Sequence, residues 1–391
     1  MRCQTSFPKF RATLLSFVLV SALEAQDLVP SKPSNASFKK ELARAIDRGS
    51  DFLLRNQSED GTWSDSDYTA VTSLALVALQ GDPEEHHAAR KAPFLYKGYQ
   101  YLMSSVQPNG GLYRINTLMN YNTSVSLMAL LAANNPDYHD KIRNARRWII
   151  QGQQDFGAPG KGDHALDGGF GYGDGSQKAD MSNTVLALEA LYYSKHLIED
   201  SGASKEDDLD WNAAIEFLER CQNLPGSNPQ PWASDDDGNR GGFVYNTDSS
   251  KAGEVRLPDG RIALRSYGSI SYAGMLSYIY AEMDPEDSRV GAVREWLENN
   301  YTLDENPGMG MQGLYYYYYT MSKALSLAGV QELKTKEGRR VDWAEELALK
   351  MLDLQRQDGS WFNDTARWWE KDPALVTAYA LLTLQNLYRV L

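Results

Sequence analysis

Two carboxylates one residue apart, Asp65 and Asp67 in the stretch QSEDGTWSDSDYTAV (residues 57–71), form the pair best placed to do acid chemistry. They precede a long apolar run, so the stretch poses a choice between catalysis and architecture. Two effects compete. The first turn of a helix stabilises an aspartate as the anion by about 0.3 to 1 kcal/mol, whereas desolvation and a nearby like charge raise its pKa and favour the acid. Helix capping is the alternative role for Asp67.

Polar residues open the later apolar segments in the same way: Asn120 and Asn122, Asp180 and Ser182 with Asn183, Ser266 and Ser269, Gln312, and Asp372 before Pro373. Gathered at one rim they could hold a ligand's head group. Helix caps use the same residue types, and a proline in the first turn supports capping at Asp372. The run Tyr315 to Tyr319 covers every direction of a helix, so at least one ring must face inward. Tyr267, Tyr272, Tyr278 and Tyr280 add aromatics in the preceding apolar segment. Such faces can attract a carbocation, stack on a sugar ring, or serve as packing with outward hydroxyls. The candidate ligand contacts are therefore Tyr68, Asn122, Asn183, Tyr267, Tyr272, Tyr316 and Tyr319.

Other chemistries lack their residues. The five histidines, His86, His87, His139, His164 and His196, show no His-x-x-x-His spacing. The cysteines are Cys3 and Cys221, and loss of an amino-terminal signal would leave Cys221 alone, so no internal disulfide and no cysteine metal site is expected. Asp235, Asp236 and Asp237 before Gly238 lack the alternation and terminal glutamate of a calcium loop. The glycine-rich segment from Gly157 to Asp180 does not run from a strand into a phosphate-cradling helix. No metal and no cofactor is expected. A net charge of -13 argues against nucleic acid and acidic glycans, and favours an apolar or neutral small molecule.

The elements that must position these residues recur along the chain. KKELARAIDRGSDFLLRNQ has apolar residues at three-to-four spacing, EDGTW breaks it, and YTAVTSLALVALQ follows as a helix apolar nearly all round. Outer helix, tight loop and inner helix return through PNGGLY, DGGFGYG, RGGFVYN, NPGMGMQ and DGSWF, making six units over the 391 residues. An open stack would leave one face of these inner helices in water, whereas a closed ring buries them all around one axis. The expected fold is an all-α (α/α)6 toroid over residues 38–391.

RGSDFLLRNQSEDGTW resembles the QW motif of squalene-hopene and oxidosqualene cyclases, found more loosely in protein prenyltransferase β subunits, at Arg48, Gly49, Phe52, Leu53, Gln57, Gly61 and Trp63. Weaker copies supply Trp148, Ile149 and Gln153 with Gly169 and Phe170, Phe217, Leu218 and Gln222 with Gly242 and Phe243, and Gln355 or Gln357 with Gly359 and Trp361. A fifth keeps Trp296 and Leu297 but has Tyr301 for the glutamine. The resemblance implies a toroid in which each glutamine joins the end of an outer helix to the start of an inner one. It also implies a catalytic acid, since those cyclases open an inner helix with Asp-x-Asp-Asp-Thr-Ala and protonate substrate with the middle aspartate. Asp67 stands at that place here, with Tyr68 for the third aspartate.

Three functions follow as expectations: a terpene cyclase-like enzyme with Asp67 as acid, a non-catalytic binding or scaffold protein of the same fold, or a sugar-active toroid enzyme. Arg2, Lys9 and Arg11 precede an apolar stretch from Ala12 to Leu23, the layout of an export signal over residues 1–25, with 26–37 as linker. The stretch is short for a span, and later apolar runs are broken by charges, so the chain is expected to be exported, periplasmic or secreted, with an uncleaved signal anchor as the alternative and no stable membrane span once the signal is removed. Protein partners are not legible.

Overall fold

A computed structural model describes residues 36–84, 88–175, 178–199, 208–365 and 367–391. The export signal and nearly all of the linker lie outside these residues, and the first helix already begins within the expected linker, at Ala36.

Among the described residues six outer helices, α1 (Ala36–Arg55), α3 (Ala88–Ser104), α5 (His139–Ile150), α8 (Trp211–Arg220), α10 (Ser288–Asn299) and α12 (Trp343–Asp353), alternate with six inner ones. The inner helices are α2 (Thr69–Gln80), α4 (Met119–Ala132), α6 (Met181–Ser194), α9 (Gly268–Tyr280), α11 (Leu314–Leu327) and α13 (Pro373–Val390), with a single turn α7 (His196–Glu199) after α6. Helix α2 packs on α4, α4 on α6, α6 on α9, α9 on α11, α11 on α13, and α13 back on α2. The inner ring is closed. The chain is an all-α (α/α)6 toroid, and the even apolar circumference of the inner helices is explained by neighbours on both sides. Two short ribbons, β1 (Glu254–Arg256) with β2 (Ile262–Leu264) and β3 (Leu333–Lys334) with β4 (Arg340–Val341), decorate the loops.

The glutamine corners work differently from the expectation. Gln57 Nε2 donates to Gly61 O at 2.9 Å and to Phe94 O of α3 at 2.9 Å, so it ties its own loop to the next outer helix, not to an inner one. Gln222 Nε2 likewise reaches Gly241 O and Arg289 O of α10, each at 2.9 Å, but its Oε1 also accepts the hydroxyl of Tyr278 on the inner helix α9 at 2.8 Å, so this corner does join an inner helix as well. In the last unit Gln355, not Gln357, reaches Gly359 O at 3.0 Å and Ala45 O of α1 at 2.9 Å, which closes the ring. Tyr301 keeps the linkage without a glutamine, since its hydroxyl donates to Glu346 of α12 at 3.1 Å.

Gly61 and Gly359 are required at these corners, with φ of 88° and 91°. A Cβ on Gly61 would lie 2.5 Å from Lys97 O, and one on Gly359 2.3 Å from Arg48 O. Trp63 and Trp361 are fully buried beside them and donate their indole N–H groups to Leu53 O and Met351 O, both at 2.8 Å. Each tryptophan thereby satisfies a carbonyl near the end of its outer helix while filling the layer between helices.

Candidate functional site: two chambers on the toroid axis

Two chambers lie on the axis. The upper one, at the amino-terminal ends of the inner helices, encloses about 240 Å³, and the lower one, toward their carboxyl ends, about 850 Å³. Leu74, Tyr121, Tyr316 and Tyr379 belong to both walls and form a waist. The Tyr121 and Tyr379 hydroxyls meet across it at 3.1 Å, and the Tyr316 ring lies 5.8 Å from that of Tyr379.

Of the tyrosine run, Tyr316 and Tyr319, three residues apart and so on one helix face, point to the axis: Tyr316 lines both chambers and Tyr319 the lower. Tyr317 and Tyr318 turn away and donate to Thr302 O at 2.9 Å and Leu303 O at 2.6 Å. Tyr68, Asn122, Asn183 and Tyr267 line the upper chamber. Tyr272 lines neither; it is buried, with its ring 5.7 Å from that of Tyr317.

Asp65 and Asp67 are exposed and belong to neither chamber wall. Asp65 Oδ1 accepts the Asp67 N–H at 2.9 Å, a turn closed within the loop. Nor does Asp67 cap α2. That helix is capped from the neighbouring inner helix, where Asn122 Oδ1 accepts the Ala70 N–H at 3.0 Å. Asn306 Oδ1 likewise accepts the Ser269 N–H of α9 at 2.8 Å, while Asp180 and Asp372 cap their own helices through Asn183 N–H at 2.9 Å and Ala374 N–H at 2.8 Å.

Sequence reasoning missed Glu370, Trp368 and Trp369, which line the upper chamber, and Tyr121, Tyr172, Tyr245 and Tyr379 around it. Glu370, 1% exposed, accepts the Tyr316 N–H at 2.9 Å and the Asn363 Nδ2 at 2.6 Å, so one carboxylate both caps α11 and anchors its own loop. Burial pushes its pKa up from the ordinary glutamate value, and the donated N–H groups oppose that. Asp180, 3% exposed, is raised for the same reason and opposed by Asn183. Trp368 and Trp369 hold left-handed φ of 56° and 66°, strain of order 1–3 kcal/mol each that persists only where surrounding contacts enforce it. Trp369 meets Tyr68 edge-on at 4.7 Å, and the Arg367 guanidinium lies 4.7 Å over Trp368. The missed signal was the aromatic-acid cluster Trp368, Trp369, Glu370 directly before the Asp372–Pro373 helix start.

The upper chamber's polar atoms are largely committed to the fold. Asn183 Nδ2 donates to Asp180 Oδ2 at 2.9 Å, and the Tyr172 and Tyr245 hydroxyls pair with each other at 2.9 Å. Burial raises the pKa of Tyr121, Tyr267, Tyr316 and Tyr379, keeping these phenols neutral. Ring faces and aliphatic side chains such as Val71, Leu74, Ile270 and Leu375 remain to meet a ligand. Among the described residues no group of three or more His, Cys, Asp or Glu could hold a metal, and no helix is long and apolar enough to cross a membrane.

The fold is similar to that of the type II terpene cyclase MstE from Scytonema, with TM-score 0.55 and 13% identity over 92% of this chain and 100% of that one. A structure of the same cyclase with geranylgeranyl dihydroxybenzoate bound matches with TM-score 0.53, 12% identity and the same coverage. An alpha-amylase from Clostridium perfringens matches with TM-score 0.50 and 13% identity, over 91% of this chain and 99% of that one. No family model matches the sequence, and a search of the curated proteins returns no match. The class these likenesses define is the terpene cyclase-like toroid; at such identities they carry the fold alone.

Proposed function

We propose that this protein binds an apolar, uncharged small molecule in the upper chamber and does not run an acid-initiated cyclisation. One observation carries this reading: the chamber is walled mostly by aromatic and aliphatic surface. Glu370 is a carboxylate in the wall; burial raises its pKa, and both of its oxygens are occupied as acceptors, of the Tyr316 N–H and of Asn363 Nδ2, so they are turned to the protein rather than to a ligand. The expected acid, Asp67, and its neighbour Asp65 lie outside the wall and exposed. An Asp67-initiated reaction would require the loop from Ser64 to Tyr68 to turn inward.

The likeness to a cyclase that binds geranylgeranyl dihydroxybenzoate supports isoprenoids as the ligand class to try first. Neutral phenols suit a neutral ligand, since a charged group would be desolvated there without a partner. We also place the chain outside the cytoplasm, on the basic and apolar layout of residues 1–25.

The test is incubation of the purified protein with squalene, a C20 polyprene and a neutral oligosaccharide, followed by extraction and mass spectrometry. The expected result is a polyprene recovered with the protein and chemically unchanged. A cyclised product lost on Asp67→Asn or Glu370→Gln would replace the binding reading with catalysis, and retention of the oligosaccharide alone would replace the ligand class.

A further inference from the structure

The lower chamber carries a buried ion pair. Lys323 of α11 and Glu189 of α6 line its wall with side chains 12% and 9% exposed, and the Lys323 ammonium donates to Glu189 Oε1 and, at 3.2 Å, to the Tyr319 hydroxyl. The ammonium lies 5.5 Å from the centre of the Tyr193 ring, 6.0 Å from Tyr280 and 5.4 Å from Tyr319. A cation near the carboxyl end of a helix is favoured by the helix dipole, but that does not explain a carboxylate brought from α6 to meet it inside an apolar space.

Glu189, Tyr193, Tyr319, Lys323 and Asn386 come from α6, α11 and α13; α2 and α4 present Leu74, Val77, Val125 and Met128 together with Gln80 and Ser124, and Lys39, Asp82, Lys91 and Arg389 also line the wall. Hydrogen-bonding capacity remains beside the ion pair. An ammonium has three N–H donors, and Glu189 and Tyr319 take two of them. Asn386 Nδ2 donates to Ser322 Oγ at 3.1 Å, leaving its carbonyl oxygen as an acceptor.

We infer that the lower chamber is a second ligand site, distinct from the upper one, for an apolar molecule bearing a neutral oxygen function such as a hydroxyl. The apolar body lies against α2 and α4, and the hydroxyl oxygen accepts the third Lys323 N–H. The ion pair fixes the charge of the ligand: a charged group would draw one partner away and leave the other unpaired in apolar surroundings, which is strongly unfavourable. The volume of about 850 Å³ accommodates a ligand larger than the upper chamber can hold.

The test compares farnesol with its saturated parent hydrocarbon farnesane, by equilibrium dialysis on the full chain. Farnesol should bind more tightly by about tenfold or more, the range for a hydrogen bond to a charged group. The double variant Lys323→Met with Glu189→Gln removes both charges together, so neither is stranded, and should bring the two affinities within about twofold. Met128→Trp fills the α4 side without touching the pair and should weaken farnesol binding, which keeps the inference testable should the double variant misfold. Ile270→Trp fills the upper chamber and should leave the farnesol preference intact. A preference that survives the double variant but vanishes with Ile270→Trp overturns the second site while sustaining the upper one. No preference in the unmodified protein overturns the second site outright. A Lys323-dependent preference in a protein that binds no hydrocarbon overturns the upper-chamber reading instead.

Discussion

The two ends of the inner ring are chemical opposites. At the amino-terminal end, side-chain oxygens of Asn122, Asp180, Asn306, Glu370 and Asp372 accept backbone N–H groups. At the carboxyl end, side-chain donors meet backbone carbonyls: Gln385 to Ala78 O at 2.6 Å, Gln80 to Ala132 O at 3.1 Å, Arg389 to Gly81 O at 3.3 Å, and Arg146 to Leu191 O. The contrast follows from helix polarity, since every inner helix leaves orphan donors at its start and orphan acceptors at its end. Six parallel helices multiply that asymmetry into an acceptor-lined rim above and a donor-lined rim below. The lesson is that rim polarity here is first a solution to capping. Function has to be sought in what capping leaves over: ring faces above, and a third ammonium N–H below.

The corners hold both ends in place, so breaking one should erase the contrast altogether. Trp361→Ala is expected to destabilise the protein by about 3–5 kcal/mol and to abolish ligand retention in either chamber, read by urea denaturation and dialysis. Gln355→Ala removes the donor that joins the last unit to the first and strands the carbonyl of Gly359, whereas Ala45 O keeps its helical partner in α1. A loss of about 1–3 kcal/mol is expected in the same denaturation measurement.

Sharpening the contrast takes smaller changes at the rim. Glu370→Ala uncaps α11 and should lower stability by about 0.5–2 kcal/mol, with a loss under about 0.3 kcal/mol counting against a capping role. Burial raises the Glu370 and Asp180 pKa values, so the folded state holds their protons more tightly than the unfolded chain. That contribution is complete below the unfolded carboxylate values and fades as pH rises through the raised ones. Relative to a Glu370→Gln, Asp180→Asn double variant, the unmodified protein should therefore lose stability as pH climbs from about 4 toward 7; urea midpoints at several pH values check the sign. The smallest effect is expected at Asp67→Asn, within about 0.5 kcal/mol, with unchanged ligand retention. A large loss of retention there would return Asp67 to the site.

Much of the architecture was legible in order along the chain. Trp63 and Trp361 sit where the Gly-x-Trp loops place them, Tyr316 faces the axis as a five-tyrosine run demands, and Asp372 caps α13 ahead of Pro373. The direction of the glutamine links was not legible, because Gln57 and Phe94 are distant in sequence and meet only once neighbouring units pack. Asp67 had the composition of a cap, yet Asn122 fills that place from 52 residues away.

By itself the sequence determined the six helical pairs, their glycine-aromatic corners and the closure of the ring, because helical periodicity and turn chemistry are local properties that a single segment carries. Only the tertiary structure decided which polar residues became caps, that Asp65 and Asp67 stayed exposed in solvent, and that Glu370, Lys323 and Glu189 entered the axis. For Lys323 and Glu189 the outcome depends on the rotation of α11 and α6 about their own axes, set by the neighbours each packs against, and for Asp65, Asp67 and Glu370 on the path of the loops before α2 and α13.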